Sequence, residues 1–335
     1  MNFEILKKMP KLEMHIHLEG TLSLNLIEQL ANKHNVALPR PKEEFVQFKD
    51  LAEFLELLNW ICALVYTKED ARAIAYNYAK YASDENVMYA EVIVNPTHWK
   101  NLEYPELIEG VLEGFDEAYA DGYADCRLLV SLLRSQTRRE ALELVRWMKA
   151  NEHARLIGLS VDGNEAASTE SNRILYPAFC EAKAAGFGIT VHAGESSSAD
   201  GVREAIHILG AMRIDHGVRA ITDEELLKEL VEKQIALNIT PTSNLFGLFE
   251  SYEDHPLNKL YQMGIPVTIG TDDPELMDIT LNEELRRAGE AYGWTLDDFV
   301  KIQKNAIHAA FCDDEMKAVL EEKLNIFYRT ISAEA

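Results

Sequence analysis

Short runs rich in Val, Ile and Leu recur along the chain, each followed by a polar cluster and then by a stretch with helical spacing. The runs fall at residues 12–17, 87–95, 127–133, 156–161, 188–192, 214–216, 235–240 and 266–271. Several carry aliphatic side chains on both faces, as parallel strands covered by helices do. Between them, Ala141, Leu144, Val145 and Met148 recur at i, i+3, i+4 and i+7, which predicts one buried helix face over 138–148. Segment 223–231 opens with Asp223, Glu224 and Glu225, where a helix dipole favours negative charge. Eight strands alternating with helices predict a (β/α)8 TIM barrel. It would be a single domain over residues 1–335, with its active site at the C-terminal ends of the strands. An open, doubly wound sheet is the alternative. That fold normally carries a Gly-rich phosphate turn after its first strand, where this chain has His15-Ile16-His17.

The polar clusters sit where the predicted strands end. They are His15 and His17, Asp162-Gly163-Asn164-Glu165, His192-Ala193-Gly194-Glu195, Asp215-His216-Gly217, Thr240 to Asn244, and Thr271-Asp272-Asp273-Pro274. In a closed barrel these positions converge on one mouth. Residues i and i+2 of a strand share a face, so His15 and His17 project together. Taken singly, each cluster also has a plainer explanation. The His-x-His pair would be two surface histidines, His192 a core histidine with a satisfied hydrogen bond, and Asp272-Asp273 a turn capping the next helix. Together, three or four histidines and an aspartate suit Zn²⁺ with a coordination position left for water. Such a metal supplies a nucleophile at neutral pH without a covalent intermediate. Glu195 would carry protons, His216 would orient the nucleophile, and Asp273 would accept a hydrogen bond from it. Spacing alone thus predicts metal-assisted hydrolysis of a C–N or C–O bond, with the substrate open.

Composition narrows the partners. Across 335 residues, 47% are hydrophobic and 27% charged, which excludes a disordered chain. Lys and Arg number 33 against 56 Asp and Glu, a net charge of −23, so nucleic acid and anionic membrane are disfavoured and a small molecule is not. No run reaches the ~20 apolar residues of a membrane span. The N-terminal segment shows no secretory-signal pattern. Cys62, Cys126, Cys180 and Cys312 are too dispersed for a C-x-x-C pair. A reducing, cytoplasmic location is the expectation, and oligomeric state is not encoded legibly.

Met14-His15-Ile16-His17-Leu18-Glu19-Gly20, His192-Ala193-Gly194-Glu195, Arg213-Ile214-Asp215-His216-Gly217, Pro241-Thr242-Ser243-Asn244 and Thr271-Asp272-Asp273-Pro274 closely resemble, in order and spacing, the adenosine/adenine deaminase family of the amidohydrolase superfamily. The resemblance implies one Zn²⁺ per chain, held by His15, His17, His192 and Asp272. It implies that Glu195 donates a proton to purine N1 and that His216 and Asp273 position and activate the attacking hydroxide. Gly163 matches a glycine whose backbone contacts purine N3, and Glu19 an acidic position facing the ribose. Phe45, Phe48, Leu51, Phe54, Leu55 and Leu58 resemble the family's lid helix over the sugar. A core-facing helix stripe is the alternative. The end of the fourth strand offers no lysine for the carboxylated bridge of binuclear relatives.

The implied reaction is deamination of a 6-aminopurine, first of all adenosine or 2′-deoxyadenosine. Glu19 and Asp215 look more like the adenine deaminase branch, whereas Gly163 leans toward nucleoside. Asn164 and Thr240 keep a 5′-modified adenosine such as 6-aminodeoxyfutalosine open. Thr240 and Gly270 replace the family's usual Cys and Asn. Two other classes remain as alternatives: a non-catalytic purine-binding protein on the same barrel, and a binuclear lactonase or phosphotriesterase.

Overall fold

The computed structural model describes residues 3–334. All eight expected strands form: β1 (Lys11–His17), β2 (Val87–Val94), β3 (Asp125–Leu133), β4 (Leu156–Asp162), β5 (Gly188–Ala193), β6 (Arg213–His216), β7 (Ala236–Ile239) and β8 (Val267–Ile269). Each pairs in parallel with its sequence neighbour, in the order β1 to β8. The seam between β8 and β1 is a single bridge just past the end of β8. There the His17 N–H donates to the Asp272 carbonyl at 2.8 Å, and the Asp272 N–H donates to the His15 carbonyl at 3.2 Å. Gly270 permits this approach, because a Cβ on it would lie 2.5 Å from the His15 carbonyl oxygen. The expected TIM barrel is therefore present.

Sequence expectation and structure differ mainly at strand ends. β7 stops at Ile239 and β8 at Ile269, short of the expected residues 240 and 271. Pro241 starts a short helix after β7, and Asp272 turns away with φ +66°. The helix expected at 138–148 runs over Arg138–Ala150. Its start is fixed by a capping box between Thr137 and Glu140, and Ala141, Leu144, Val145 and Met148 are its buried face. The expected 223–231 helix is Glu224–Lys233, with the Asp223 carboxylate accepting the N–H groups of Glu225 and Leu226. The segment after β1 is not one helix from 45 to 58. A turn at Lys42–Glu44 precedes a helix over Leu51–Cys62, capped by Asp50. Its buried face is Phe54, Leu57, Leu58 and Ile61, while Leu51 (59% exposed) and Leu55 (40%) face outward.

Polar residues also line the barrel's other end. The Arg213 guanidinium pairs with buried Glu91 at 2.5 Å and lies 4.0 Å from the Phe311 ring centre. Glu91 Oε1 also accepts from the Tyr89 hydroxyl and the Phe311 N–H, while Arg213 Nε and Nη2 have no hydrogen-bond partner among the described residues. Among the described residues no helix is long and apolar enough to cross a membrane, and the four cysteines are unpaired.

Candidate metal and catalytic site

Four strands deliver imidazole or carboxylate groups to one point at the C-terminal mouth. His15 and His17 lie two apart on β1, and their ring centres are 5.6 Å apart. His192 on β5 places its Nε2 2.9 Å from His17 Nε2. Asp272, just beyond β8, puts Oδ1 3.3 Å from His15 Nε2 and 3.5 Å from His17 Nε2. Ligand atoms of His15, His17 and His192 all lie within 4.8 Å of one another, and so do those of His15, His216 and Asp272. His15 Nε2 is buried without a hydrogen-bond partner. A buried nitrogen lacking a partner, among nitrogen and oxygen donors drawn to one point, fits a divalent cation.

The electrostatics agree with that fit. Burial lowers the His17 and His192 pKa values, favouring the neutral imidazole that metals bind. Burial opposes ionisation of Asp272, yet the His15, His216 and His17 imidazoles outweigh it and hold the carboxyl well below the usual range. His15 is the exception: burial lowers its pKa, but Asp272 and Asp215 override this and raise it to about 9. Metal binding at His15 would therefore release a proton.

The other expected residues surround this cluster. Glu195 follows β5; burial raises its pKa, with Asp272 and Glu165 adding to the effect against the opposing pull of His216. Its Oε1 lies 3.6 Å from His216 Nδ1. Asp273 is buried beside Gly20, where a Cβ would lie 2.2 Å from Asp273 Oδ1. Burial and the Asp272, Glu19 and Asp162 carboxylates push the Asp273 pKa well up. His216 and Asp272 both adopt φ +66°, a left-handed conformation uncommon outside glycine that Asp and His accept more readily than most side chains. Gly163 follows the last residue of β4 at the exposed rim, with φ +95°. Glu19 is buried, and its Oε1 accepts from the Asn95 N–H (2.7 Å) and the Trp99 indole N–H (2.9 Å). Its Oε2 has no partner, and burial raises its pKa to about 8.

Several contributors were not singled out for a site role by sequence reasoning. In the sequence Asp215 marks only a branch of a family; in the fold its carboxylate lies 3.7 Å from His15 Nδ1 and 3.5 Å from His192 Nδ1. Asn238 donates to the same carboxylate at 2.8 Å. The Ser243 hydroxyl donates to Asp272 Oδ2 at 2.7 Å. Glu165 accepts the backbone N–H groups of Glu195 and Ser197, which fixes the turn carrying Glu195. Asp162 is buried at the mouth and accepts from the Asn95 amide. Of these, Asp162, Glu165, Asp215 and Ser243 lie in the polar clusters at the strand ends, which marks their region but not their individual roles; Asn238, inside β7, carries no such mark.

The sequence profile named adenosine deaminase matches residues 10–326. The chain belongs to the adenosine deaminase family. Adenosine deaminase from Clostridium botulinum is 33% identical, covering 97% of this chain and 99% of that protein. Adenine deaminase from Cupriavidus necator is 30% identical over 97% of this chain and 94% of its own length. A solved amidohydrolase from Burkholderia ambifaria with bound Zn superposes with a TM-score of 0.90 at 27% identity, covering 99% of this chain and 94% of that one. As an adenosine deaminase family member, the chain is a metal-dependent hydrolase of C–N bonds that deaminates small purine compounds.

Proposed function

We propose that this protein deaminates adenosine and 2′-deoxyadenosine to inosine and 2′-deoxyinosine, releasing ammonia, with one Zn²⁺ held by His15, His17, His192 and Asp272. The observation carrying this reading is the convergence of those four donors on one point, with Glu195, His216 and Asp273 around it. The bound zinc would supply Lewis acidity and lower the pKa of water. Glu195, whose affinity for a proton burial raises, delivers its proton to N1 as water oxygen bonds to C6. Asp273, which burial and the neighbouring carboxylates bias toward its protonated form, would be ionised beside a bound cation, and in that form takes the proton of the attacking water and returns it to the departing amine. His216 orients the water. The C6–N bond then breaks, ammonia leaves, and the proton still on the C6 oxygen is lost to solvent as the carbonyl forms, while Glu195 regains one from solvent.

Asp215 would hold the Nδ1 sides of two ligands, the placement of an outer carboxylate behind metal-bound histidines. Asp215→Asn is expected to weaken zinc affinity by roughly 10–100-fold while the fold persists. Competition with a chelator, read by elemental analysis, measures it; undiminished affinity would remove Asp215 from the site.

For substrate, the match of Gly163 to the glycine of the nucleoside-acting branch supports a nucleoside, and the adenosine deaminase relatives point the same way. Adenine is a second reading, favoured by Glu19, whose Oε1 is already engaged by Trp99 and Asn95. Ammonia release should be compared across adenosine, 2′-deoxyadenosine, adenine and 5′-substituted adenosines including 6-aminodeoxyfutalosine. The two unmodified nucleosides should lead in kcat/KM by at least ~10-fold, the scale of one or two lost polar contacts. Adenine ahead of both would transfer the assignment to the base, and no turnover at all would leave the non-catalytic reading. Two metal ions per chain would contradict the single-zinc site.

A further inference from the structure

We infer that Asn244 and His255 are positioning residues, a hydrogen-bonded pair that dictates which oxygen of Glu195 and which nitrogen of His216 carry a proton. The inference rests on the roles proposed above for those two groups. Asn244 closes the short helix Pro241–Leu245, and His255 comes eleven residues later, on the far side of the loop; both are buried.

The chain of donors begins at a group with no choice. The Leu257 backbone N–H can only donate, and it donates to His255 Nδ1 at 3.1 Å. The neutral ring must then carry its hydrogen on Nε2, which lies 3.1 Å from Asn244 Oδ1. Burial keeps His255 neutral by lowering its pKa to about 3. With its oxygen facing His255, the Asn244 amide turns its NH₂ toward the site. Nδ2 lies 3.1 Å from Glu195 Oε1 and 3.2 Å from His216 Nδ1. Both atoms therefore accept. The Thr240 hydroxyl also lies 3.2 Å from His216 Nδ1.

Two consequences follow. Glu195 Oε1 is occupied as an acceptor, so the proton bound for purine N1 resides on Oε2. His216 accepts at Nδ1 and holds its hydrogen on Nε2. One backbone amide, acting through two side chains, thus sets the protonation pattern of the acid and of the orienting imidazole. Neither Asn244 nor His255 touches the reacting atoms in this scheme.

The test uses full-length, zinc-loaded protein. Asn244→Asp replaces two N–H donors by an acceptor of the same shape and should lower kcat by about 10²-fold with KM changed less than ~3-fold, the size expected when a reacting group loses its alignment. His255→Phe removes the donor that sets the amide and should lower kcat by roughly 10-fold, while His255→Gln, which again presents an N–H, should recover most of that loss. A packing role alone would not distinguish Gln from Phe in this way. Independently of turnover, ¹⁵N spectra of histidine-labelled holoprotein should show both His255 and His216 as the Nε2–H tautomer. An Nδ1–H signal from either ring overturns the inference, as does full kcat in metal-replete Asn244→Asp and His255→Phe proteins. If the expected tautomers are present but no 6-aminopurine is deaminated, the proposed function fails and this inference stands.

Discussion

Asp272→Ala is expected to abolish deamination by emptying the metal site, with zinc affinity falling by well over the ~100-fold that marks loss of an outer-shell contact. Three features concentrate on this one residue. Its Oδ1 approaches His15 and His17, its Oδ2 accepts from Ser243, and its backbone closes the β8–β1 seam. The substitution also places Ala at φ +66°, where a left-handed L-residue costs roughly 1–2 kcal/mol and Asn or Asp is better tolerated. Asp272→Asn separates the two effects, since it keeps the shape and tolerates the conformation but removes the charge. Elemental analysis of both variants beside circular dichroism reads the outcome. A folded Asp272→Asn protein with full zinc content would show that the carboxylate is not a ligand.

The second large effect is expected at Glu195. Glu195→Gln should reduce kcat by roughly 10²–10⁴-fold, the usual contribution of a positioned general acid, while zinc content and purine affinity persist. Gln keeps the length and one carbonyl oxygen to accept from Asn244, so the local hydrogen bond at 3.1 Å is preserved. What it lacks is a transferable proton. Burial holds the Glu195 pKa above that of an exposed carboxyl, so the acid form persists to higher pH and the wild-type rate should fall as pH rises through that raised value. Steady-state kinetics with ammonia detection, alongside a binding isotherm for a purine, would check this; an undiminished kcat would remove Glu195 from the acid role.

The barrel was legible because each buried parallel strand announces itself as an aliphatic run and each run ends in a chemically distinctive cluster. His15 and His17 were paired by period-two geometry alone, and the structure brings His192 and Asp272 to them. The hidden part consists of residues whose importance depends on neighbours distant in sequence. Asp215 matters because it sits behind His15 and His192, 200 and 23 positions away. His255 lies in a loop, where nothing in the local pattern marks it; only the folded contact with Asn244 does. The segment after β1 misled for another reason. Phe45 and Phe48 extend the apolar spacing upstream, but the helix begins only at Leu51, where Asp50 can accept the Glu53 N–H. A cap, not the apolar period, chose the boundary.

The bridge formed by residue 272 bears on how the protein is made. Strand one, with its two imidazoles, leaves the ribosome well before the partner that completes both the cylinder and the ligand set. Nascent fragments ending before that point hold an unsealed sheet and cannot assemble the full set of donors. Assembly of the full donor set is thereby tied to synthesis of the eighth strand and the residues just past it, and a bound ion would clasp the first and eighth strands together.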